Sequence, residues 1–200
     1  MLVNVIKMFL KVNKSISEEE QIADCKKGNS KAQRHIYEKY ATKMLGVCSR
    51  YVQDELEAED IMIKGFTRVF AKIDQYSGSG SFEGWIRRIM VNEALGYLRK
   101  NKNMYLEVDI QKAEYQADYQ LIDNTLEAEE LVLMINELPM GYRSVFNLYA
   151  IEGYSHKEIA EQLEISENTS KSQLSRARVI LQKKLVERED SIKNMIGNEK

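Results

Sequence analysis

Residues 154–178 read YSHKEIAEQLEISENTSKSQLSRAR, and this stretch decides how the second half of the chain folds. Ser155 and Glu158 have the spacing of a capping box, which starts a helix. The next apolar positions recur at helical spacing and indicate one buried face: Ile159, Ala160 and Leu163. After a short turn, Ser166 is a candidate N-cap for a second helix. The segment therefore predicts a helix-turn-helix.

The second helix of this pair has a buried stripe and a polar face. The stripe consists of Leu174, Ala177 and Leu181. From Asn168 to Lys184 there are five basic residues and no acid, whereas the exposed face of an ordinary helical hairpin carries Glu and Lys pairs. Such a face can reach base edges in a DNA major groove, so we predict DNA binding. The candidate DNA-binding residues are Asn168, Thr169, Lys171, Ser172, Gln173, Ser175 and Arg176.

The turn between the two helices breaks a local rule. Glu164 stands where such turns usually have glycine. We therefore predict a left-handed backbone at this residue, with a cost on the order of 1 kcal/mol.

The composition predicts an all-α fold in two small helical units. Among 200 residues, 44% are hydrophobic and Pro139 is the single proline, which favours helix nearly throughout. We expect an N-terminal extension over 1–16, a first unit over 17–103, an acidic linker over 104–126, a second unit over 127–188 and a tail over 189–200. In the first unit, apolar residues recur at helical spacing over 36–47, 61–73 and 82–98, and residues 76–81 form a loop of small residues.

Charge is distributed unevenly along the chain. The net charge is −2, but residues 84–102 contain five basic residues and one acid, whereas residues 105–130 contain eight acids and one lysine. DNA binding depends on the local field, so this total does not exclude it. The acidic segment could restrain non-specific DNA binding by competing for the basic patches.

Metal, cofactor and membrane functions find little support in the sequence. Cys25 and Cys48 stand far apart without neighbouring ligands, and we expect both to be buried thiols in a reducing cytoplasm. His35 and His156 are each alone and are expected to be structural. We expect no catalytic residues, no metal, no cofactor, no small-molecule substrate and no membrane insertion, since the apolar stretch 1–10 is too short to span a bilayer.

Two blocks of residues together resemble the extracytoplasmic-function group of bacterial RNA polymerase sigma factors, in the sigma-70 family. The first block has Ala58-Glu59-Asp60-Ile61-Met62, Val69-Phe70, Phe82-Glu-Gly-Trp85-Ile86-Arg-Arg-Ile89, Asn92 and Tyr97-Leu98-Arg99-Lys100. The second has Leu138-Pro139, Tyr154-Ser155 to Ile159-Ala160, and residues 166–178. The resemblance covers about residues 17–188, with both blocks in the family's order and separation.

The resemblance implies three surfaces and three partners: core RNA polymerase, promoter DNA and an anti-sigma factor. The seven helix residues named above would read the −35 element. Core polymerase contact would fall on Glu59, Asp60, Ile63, Lys64, Thr67 and Phe70. Contacts to the opened −10 element would fall on Tyr76, Ser77, Ser79, Ser81, Arg87, Arg88, Asn92, Arg99 and Lys100.

Three positions depart from the family pattern. Ile63-Lys64 stands where Gln-Glu is frequent, which alters the polymerase contact in detail. Gly96 replaces a common Asp and weakens its helix by up to about 1 kcal/mol. Gln173 replaces a usual Arg and removes one phosphate contact.

Aromatic and basic residues lie close together where the resemblance places strand opening. Opening requires a site that captures an unstacked base, and aromatic surfaces beside basic groups provide stacking and charge. Tyr76, Phe82 and Trp85 flank the small-residue loop. We expect Trp85 to pack in the core, and we favour the loop backbone and its polar residues as the base pocket.

Three other functions remain open at this point. A helix-turn-helix regulator acting without polymerase would share residues 154–178 but would not need the block from 82 to 100. A metal-dependent hydrolase would use the carboxylates of Asp54, Glu55, Glu57, Glu59 and Asp60, although no histidine accompanies them. A helical interaction scaffold would not need the basic recognition face.

Overall fold

The computed structural model describes residues 17–101 and 128–197, and all its elements are helical. The first unit consists of α1 (Glu18–Lys26), α2 (Ser30–Ser49), α3 (Glu55–Ala71) and α4 (Phe82–Lys100), with a 3-10 turn over Ile73–Gln75. The second consists of α5 (Ala128–Asn136), α6 (Met140–Phe146), a π-helical turn (Asn147–Ile151), α7 (His156–Leu163) and α8 (Glu167–Gly197). The all-α prediction is confirmed over these residues.

Side-chain caps start the helices of the first unit. Ser17 and Glu20 form a capping box at α1, as their spacing predicts. Asn29, Asp54 and Ser81 accept hydrogen bonds from backbone amides at the starts of α2, α3 and α4. These side chains satisfy amides that a helix start would otherwise leave unpaired.

The core of the first unit follows the three predicted stripes. Among the residues it buries are Ile36, Tyr40 and Met44 of α2, Ile61, Met62 and Phe66 of α3, and Phe82, Ile86 and Met90 of α4. Cys25 and Cys48 are buried free thiols, as expected, and burial raises the pKa of both, that of Cys48 to about 12.

The two units pack against each other and share one core. Val145, Leu148 and Ile159 of the second unit are fully buried in the cluster formed by the first. A smaller cluster holds α5 and α6 against α8. This contact between the units was not foreseen from the sequence.

Some sequence expectations lie outside the described residues or differ from the structure. The extension 1–16 and the acidic linker 104–126 fall outside them. Helix α8 continues past residue 188 to Gly197, where the sequence predicted only a tail.

Candidate nucleic-acid interface

Both helices of the helix-turn-helix begin at the N-cap residues that the sequence predicts. Ser155 and Glu158 form the capping box of α7. Glu164 comes after this helix with φ 54° and ψ 45°, so the predicted left-handed conformation is confirmed. Ser166 Oγ then accepts a hydrogen bond from the Thr169 amide at 3.0 Å, which starts α8. The turn thereby joins α7 to α8 with both helix ends capped.

The outward face of α8 consists of short polar side chains around one lysine. Leu174, Ala177 and Leu181 are buried against the rest of the unit, as the stripe predicts, and Ser170 is buried beside them. Asn168, Lys171, Ser172 and Ser175 are exposed on the opposite side. Helical geometry aligns these four positions, so they form one surface that can enter a groove.

The other three candidates on α8 lie at the flank of this surface. Arg176 Nη1 donates to the Tyr142 hydroxyl at 3.4 Å. The Gln173 side chain lies against Gly141, where an added methyl carbon would be 3.1 Å from its amide nitrogen. Thr169 Oγ1 contacts Ser166 Oγ at 2.8 Å in the cap. In this arrangement Arg176 and Gln173 face α6, so Lys171 is the basic side chain among the seven candidates that lies on the exposed face.

An aromatic and basic cluster lies where α7 meets α8. The Tyr149 ring stacks on His156 with centroids 4.7 Å apart, and the Arg178 guanidinium lies 5.9 Å from the centre of the Tyr149 ring. His156 Nδ1 lies 2.9 Å from Ser170 Oγ, which joins the start of α7 to α8. Burial lowers the pKa of His156, and the charges of Lys171 and Arg178 lower it further. His156 is thus structural, as predicted from its isolation.

The loop before α4 is exposed and is anchored at its base. Gly78 and Gly80 have φ of +81° and +82°, a conformation that side chains rarely adopt. The Tyr76 hydroxyl donates to the Gly80 carbonyl at 2.8 Å, which closes the loop on itself. Ser77, Ser79 and Ser81 are exposed on the loop.

An aromatic cluster fastens this loop to the core. The Phe82 ring is 5.0 Å from Tyr76 and 5.8 Å from Trp85 between centroids, and Phe82 is fully buried. Trp85 is half-buried and packs against the core, in agreement with its predicted packing role. The serines of the loop are therefore exposed, while the rings beneath fix the base of the loop.

The candidate −10 residues of α4 fall into two groups, those that are exposed and those that are bound to the second unit. Arg88, Asn92 and Lys100 are exposed. Arg87 donates from Nε and Nη2 to the two carboxylate oxygens of Glu152, both at 2.8 Å, and this pair raises the pKa of Arg87. Arg99 Nη1 donates to the Gln162 carbonyl at 2.7 Å. Both partners of the engaged arginines belong to the second unit.

A polar cleft lies between α3, α4 and α7, and α3 contributes Ile61, Lys64 and Arg68 to its lining. Its volume is about 640 Å³. Asn92, Arg99 and Lys100 line one side, and Gln162 and Glu164 line the other. Three candidate −10 residues therefore face the helix-turn-helix unit across a narrow space.

The candidate polymerase-binding residues share the exposed side of α3. Glu59, Asp60, Ile63, Lys64 and Thr67 are exposed, and Phe70 is half-buried. Ile63 is 53% exposed, and Leu56, seven positions earlier on the same side, is 75% exposed. Leu56 is not among the candidates named from the sequence. It could have been found there, because it is an apolar residue that falls out of phase with the buried stripe of α3.

The carboxylates of the hydrolase alternative have structural partners. Asp54 caps α3 through the Glu57 amide, Glu57 accepts from the Tyr97 hydroxyl, and Asp60 pairs with Lys64. Over the two described ranges, no group of three or more His, Cys, Asp or Glu side chains is arranged to hold a metal ion. Within the same ranges, no helix has the length and apolar character needed to cross a membrane.

Polar residues at the junction of the two units were missed from the sequence. Arg143 is 1% exposed and donates to the carbonyls of Asn136 and Tyr51. Asn147 is fully buried and donates to the Arg50 carbonyl at 2.9 Å. The signal for Arg143 is faint: it is a charged residue within the apolar run of α6.

Comparisons with known proteins agree on one family. The family description "Sigma-70 region 2" matches residues 36–104, and "Sigma-70, region 4" matches residues 128–181. The ECF RNA polymerase sigma factor SigW of Bacillus subtilis is 32% identical over 178 residues, covering 83% of this chain and 95% of the relative. The RNA polymerase sigma-H factor of Pseudomonas aeruginosa is 26% identical over 182 residues, covering 84% and 93% respectively.

The comparison with solved structures also found a sigma factor. The sigma factor RpoE of Bartonella quintana, in its co-crystal structure with the anti-sigma factor NepR, has 21% identity and a TM-score of 0.45 to this chain. The similarity covers 77% of this chain and 96% of that one.

Proposed function

Because the chain belongs to the extracytoplasmic-function group of the sigma-70 family, we propose that it directs core RNA polymerase to promoters through three surfaces of its own. The exposed side of α3 binds core polymerase. The loop 76–81 and the basic side of α4 hold the opened −10 element. The outward face of α8 reads the −35 element in duplex DNA.

One observation carries most weight: Asn168, Lys171, Ser172 and Ser175 form an exposed polar surface on a helix whose opposite side is buried. Serine, asparagine and lysine hydrogen-bond to base edges and phosphates, and the small size of serine and asparagine permits close approach to the groove floor. This surface is what separates a DNA-reading unit from a helical scaffold. We assign residues 17–103 to polymerase binding and −10 opening, and residues 127–188 to −35 reading.

Run-off transcription with core polymerase on genomic fragments tests this function. The expected result is specific initiation that requires both the chain and core polymerase. Gel filtration of the mixture separates this function from its rival, a regulator that binds operator DNA alone. Failure to co-elute with core polymerase, together with specific binding to duplex DNA, would favour the rival.

The exposed lysine of α8 permits a direct test of −35 reading. We expect Lys171→Ala to weaken promoter binding by roughly 1–3 kcal/mol if Lys171 contacts a guanine edge, with the loss specific to the −35 sequence. If Lys171 contacts phosphate, the loss will be uniform across sequences and the salt dependence shallower. The measurement is holoenzyme binding to promoter variants across salt concentrations.

Two further variants sharpen this test. Lys183→Ala removes the same charge from an exposed position farther along α8 and serves as the matched control. Arg176→Ala examines the flank of the surface, where the side chain also contacts Tyr142. Unchanged promoter binding by a Lys171→Ala, Arg176→Ala double variant would contradict the recognition-helix assignment.

The loop before α4 permits a separate test of −10 opening. We expect exchange of residues 77–81 for the loop of another such sigma factor to change −10 preference and leave −35 preference unaltered. The reason is that glycines let the backbone approach an unstacked base while neighbouring side chains read its edge. Permanganate footprinting on −10 variants measures this. An unaltered opening profile, with normal polymerase binding, would place base capture elsewhere in the first unit.

Regulation by an anti-sigma factor belongs to the same proposal. The family pairs with such factors, and the partner would cover the polymerase-binding surface of α3. Co-purification of the chain with proteins of its own operon and competition with core polymerase would test this.

A further inference from the structure

The junction between the two units places a carboxylate on an arginine assigned to −10 DNA. Glu152 lies directly after the π-helical turn of the second unit, and its side chain is 9% exposed. Both of its oxygens accept hydrogen bonds from Arg87, at 2.8 Å each. Arg50 Nη2 lies 3.5 Å from the same carboxylate. Two guanidinium groups thus surround one anion.

The two Glu152 oxygens accept from Arg87 in the way that two oxygens of a DNA phosphate would. A carboxylate and a phosphate both present paired oxygens that accept two parallel bonds from a guanidinium group. Arg87 therefore cannot make this contact with Glu152 and with DNA at the same time. Arg99 is held in a similar way by the Gln162 carbonyl of α7 at 2.7 Å.

The packed arrangement is also incompatible with reading both promoter elements. The −35 and −10 elements are labelled by their positions in base pairs and so lie about 25 base pairs apart, which corresponds to roughly 85 Å of B-form DNA. In the structure, α4 and α7 are joined by the hydrogen bond from Arg99 to the Gln162 carbonyl. The units must separate before both elements are bound.

The junction has features of a contact that can come apart. Arg50 Nε, Tyr51 Oη and Asn147 Oδ1 are buried there without a hydrogen-bond partner among the described residues. A buried polar atom left unpaired weakens the contact that buries it, and separation returns it to water. Apolar packing, the Arg87–Glu152 pair and the hydrogen bonds of Arg99, Arg143 and Asn147 hold the units together, whereas these unpaired atoms weaken the contact.

From these observations we propose that, in the free chain, Glu152 takes the position of a −10 phosphate on Arg87 and so holds the two units closed against DNA. The inference rests on the proposed function, because it takes Arg87 as a DNA contact. Separation of the units on polymerase would release Arg87. Glu152 then sets how readily the free chain engages DNA.

A binding measurement on the free full-length chain tests this. The probe is a fluorescein-labelled single-stranded 20-mer of mixed sequence, followed by anisotropy at low salt. We expect Glu152→Ala to lower the Kd about tenfold or more, because tenfold is roughly the least that a hydrogen bond to a charged group contributes. Glu161→Ala removes the same charge from an exposed position on α7 and should change the Kd by about twofold at most. Equal effects of the two variants would overturn the inference.

A double-mutant cycle shows whether the pair exists in solution. Arg87→Ala, Glu152→Ala and the double variant are compared in urea unfolding, with Glu152→Gln as a variant of unchanged shape in case Glu152→Ala fails to fold. Non-additive effects are expected, and additive effects would overturn the inference. Run-off transcription by holoenzyme tests the proposed function separately. The wild-type chain with core polymerase must initiate transcription whether or not the two units are packed together in the free chain. Normal initiation combined with an additive cycle would refute the closed state alone.

Discussion

Replacing Phe82 by alanine will lower the free energy of unfolding by about 3–5 kcal/mol, the range for a large buried aromatic side chain. Phe82 is 1% exposed and its ring meets those of Tyr40, Tyr76 and Trp85, with centroid distances of 6.0, 5.0 and 5.8 Å. It also begins α4, directly after the loop assigned to base capture. Its loss therefore removes core packing and the support of that loop together. Urea denaturation followed by circular dichroism measures the first effect.

Trp85→Ala is the matched comparison for this prediction. Trp85 belongs to the same aromatic cluster but is half-buried, so its removal leaves a smaller cavity. We expect a smaller loss of stability and a retained loop conformation. Equal destabilisation by the two variants would mean that Phe82 does not anchor the loop in the manner described.

Two apolar residues on α3 should control polymerase binding. We expect the double variant Leu56→Asp, Ile63→Asp to weaken binding to core polymerase about a hundredfold or more, as for residues at the centre of an interface. The side chains are 75% and 53% exposed, so their replacement removes contact surface without opening a cavity. Surface plasmon resonance with immobilised core polymerase measures the affinity.

The control is an apolar residue with the same exposure elsewhere. Val186 on α8 is 53% exposed, and Val186→Asp introduces the same charge there. This control should bind polymerase nearly as the wild type does. If the α3 double variant binds normally while remaining folded, the polymerase-binding surface lies elsewhere on the chain.

Local features of the fold were predictable because their causes lie within a few residues. The capping box of Ser155 and Glu158 and the left-handed Glu164 arise from short-range chemistry. The buried stripe of α8 arises from helical periodicity, and so does the exposed face opposite. The helix-turn-helix was therefore predictable from the sequence, as were its caps and its buried stripe.

The junction between the units was not predictable because its partners are distant in sequence. Arg143 binds the carbonyl of Tyr51, 92 positions away, and Arg87 binds Glu152, 65 positions away. Periodicity marks Arg143 only as a charge in an apolar run, without indicating its acceptor. For the same reason, sequence spacing placed Arg176 on the exposed face, whereas the structure shows it contacting Tyr142 on α6.

The π-helical turn over Asn147–Ile151 allows the contact between the two units to be altered without replacing a charged residue. The Glu152 amide donates to the Asn147 carbonyl, five residues back, at 3.0 Å, so the turn holds one residue more than an α-helical turn would. Loss of one residue here would rotate the next residues of the chain by about 100°, the angle between successive residues of an α-helix. Glu152 would then point away from Arg87. Insertions and deletions at this turn are thus a route by which relatives can diverge in the strength of the contact between their units.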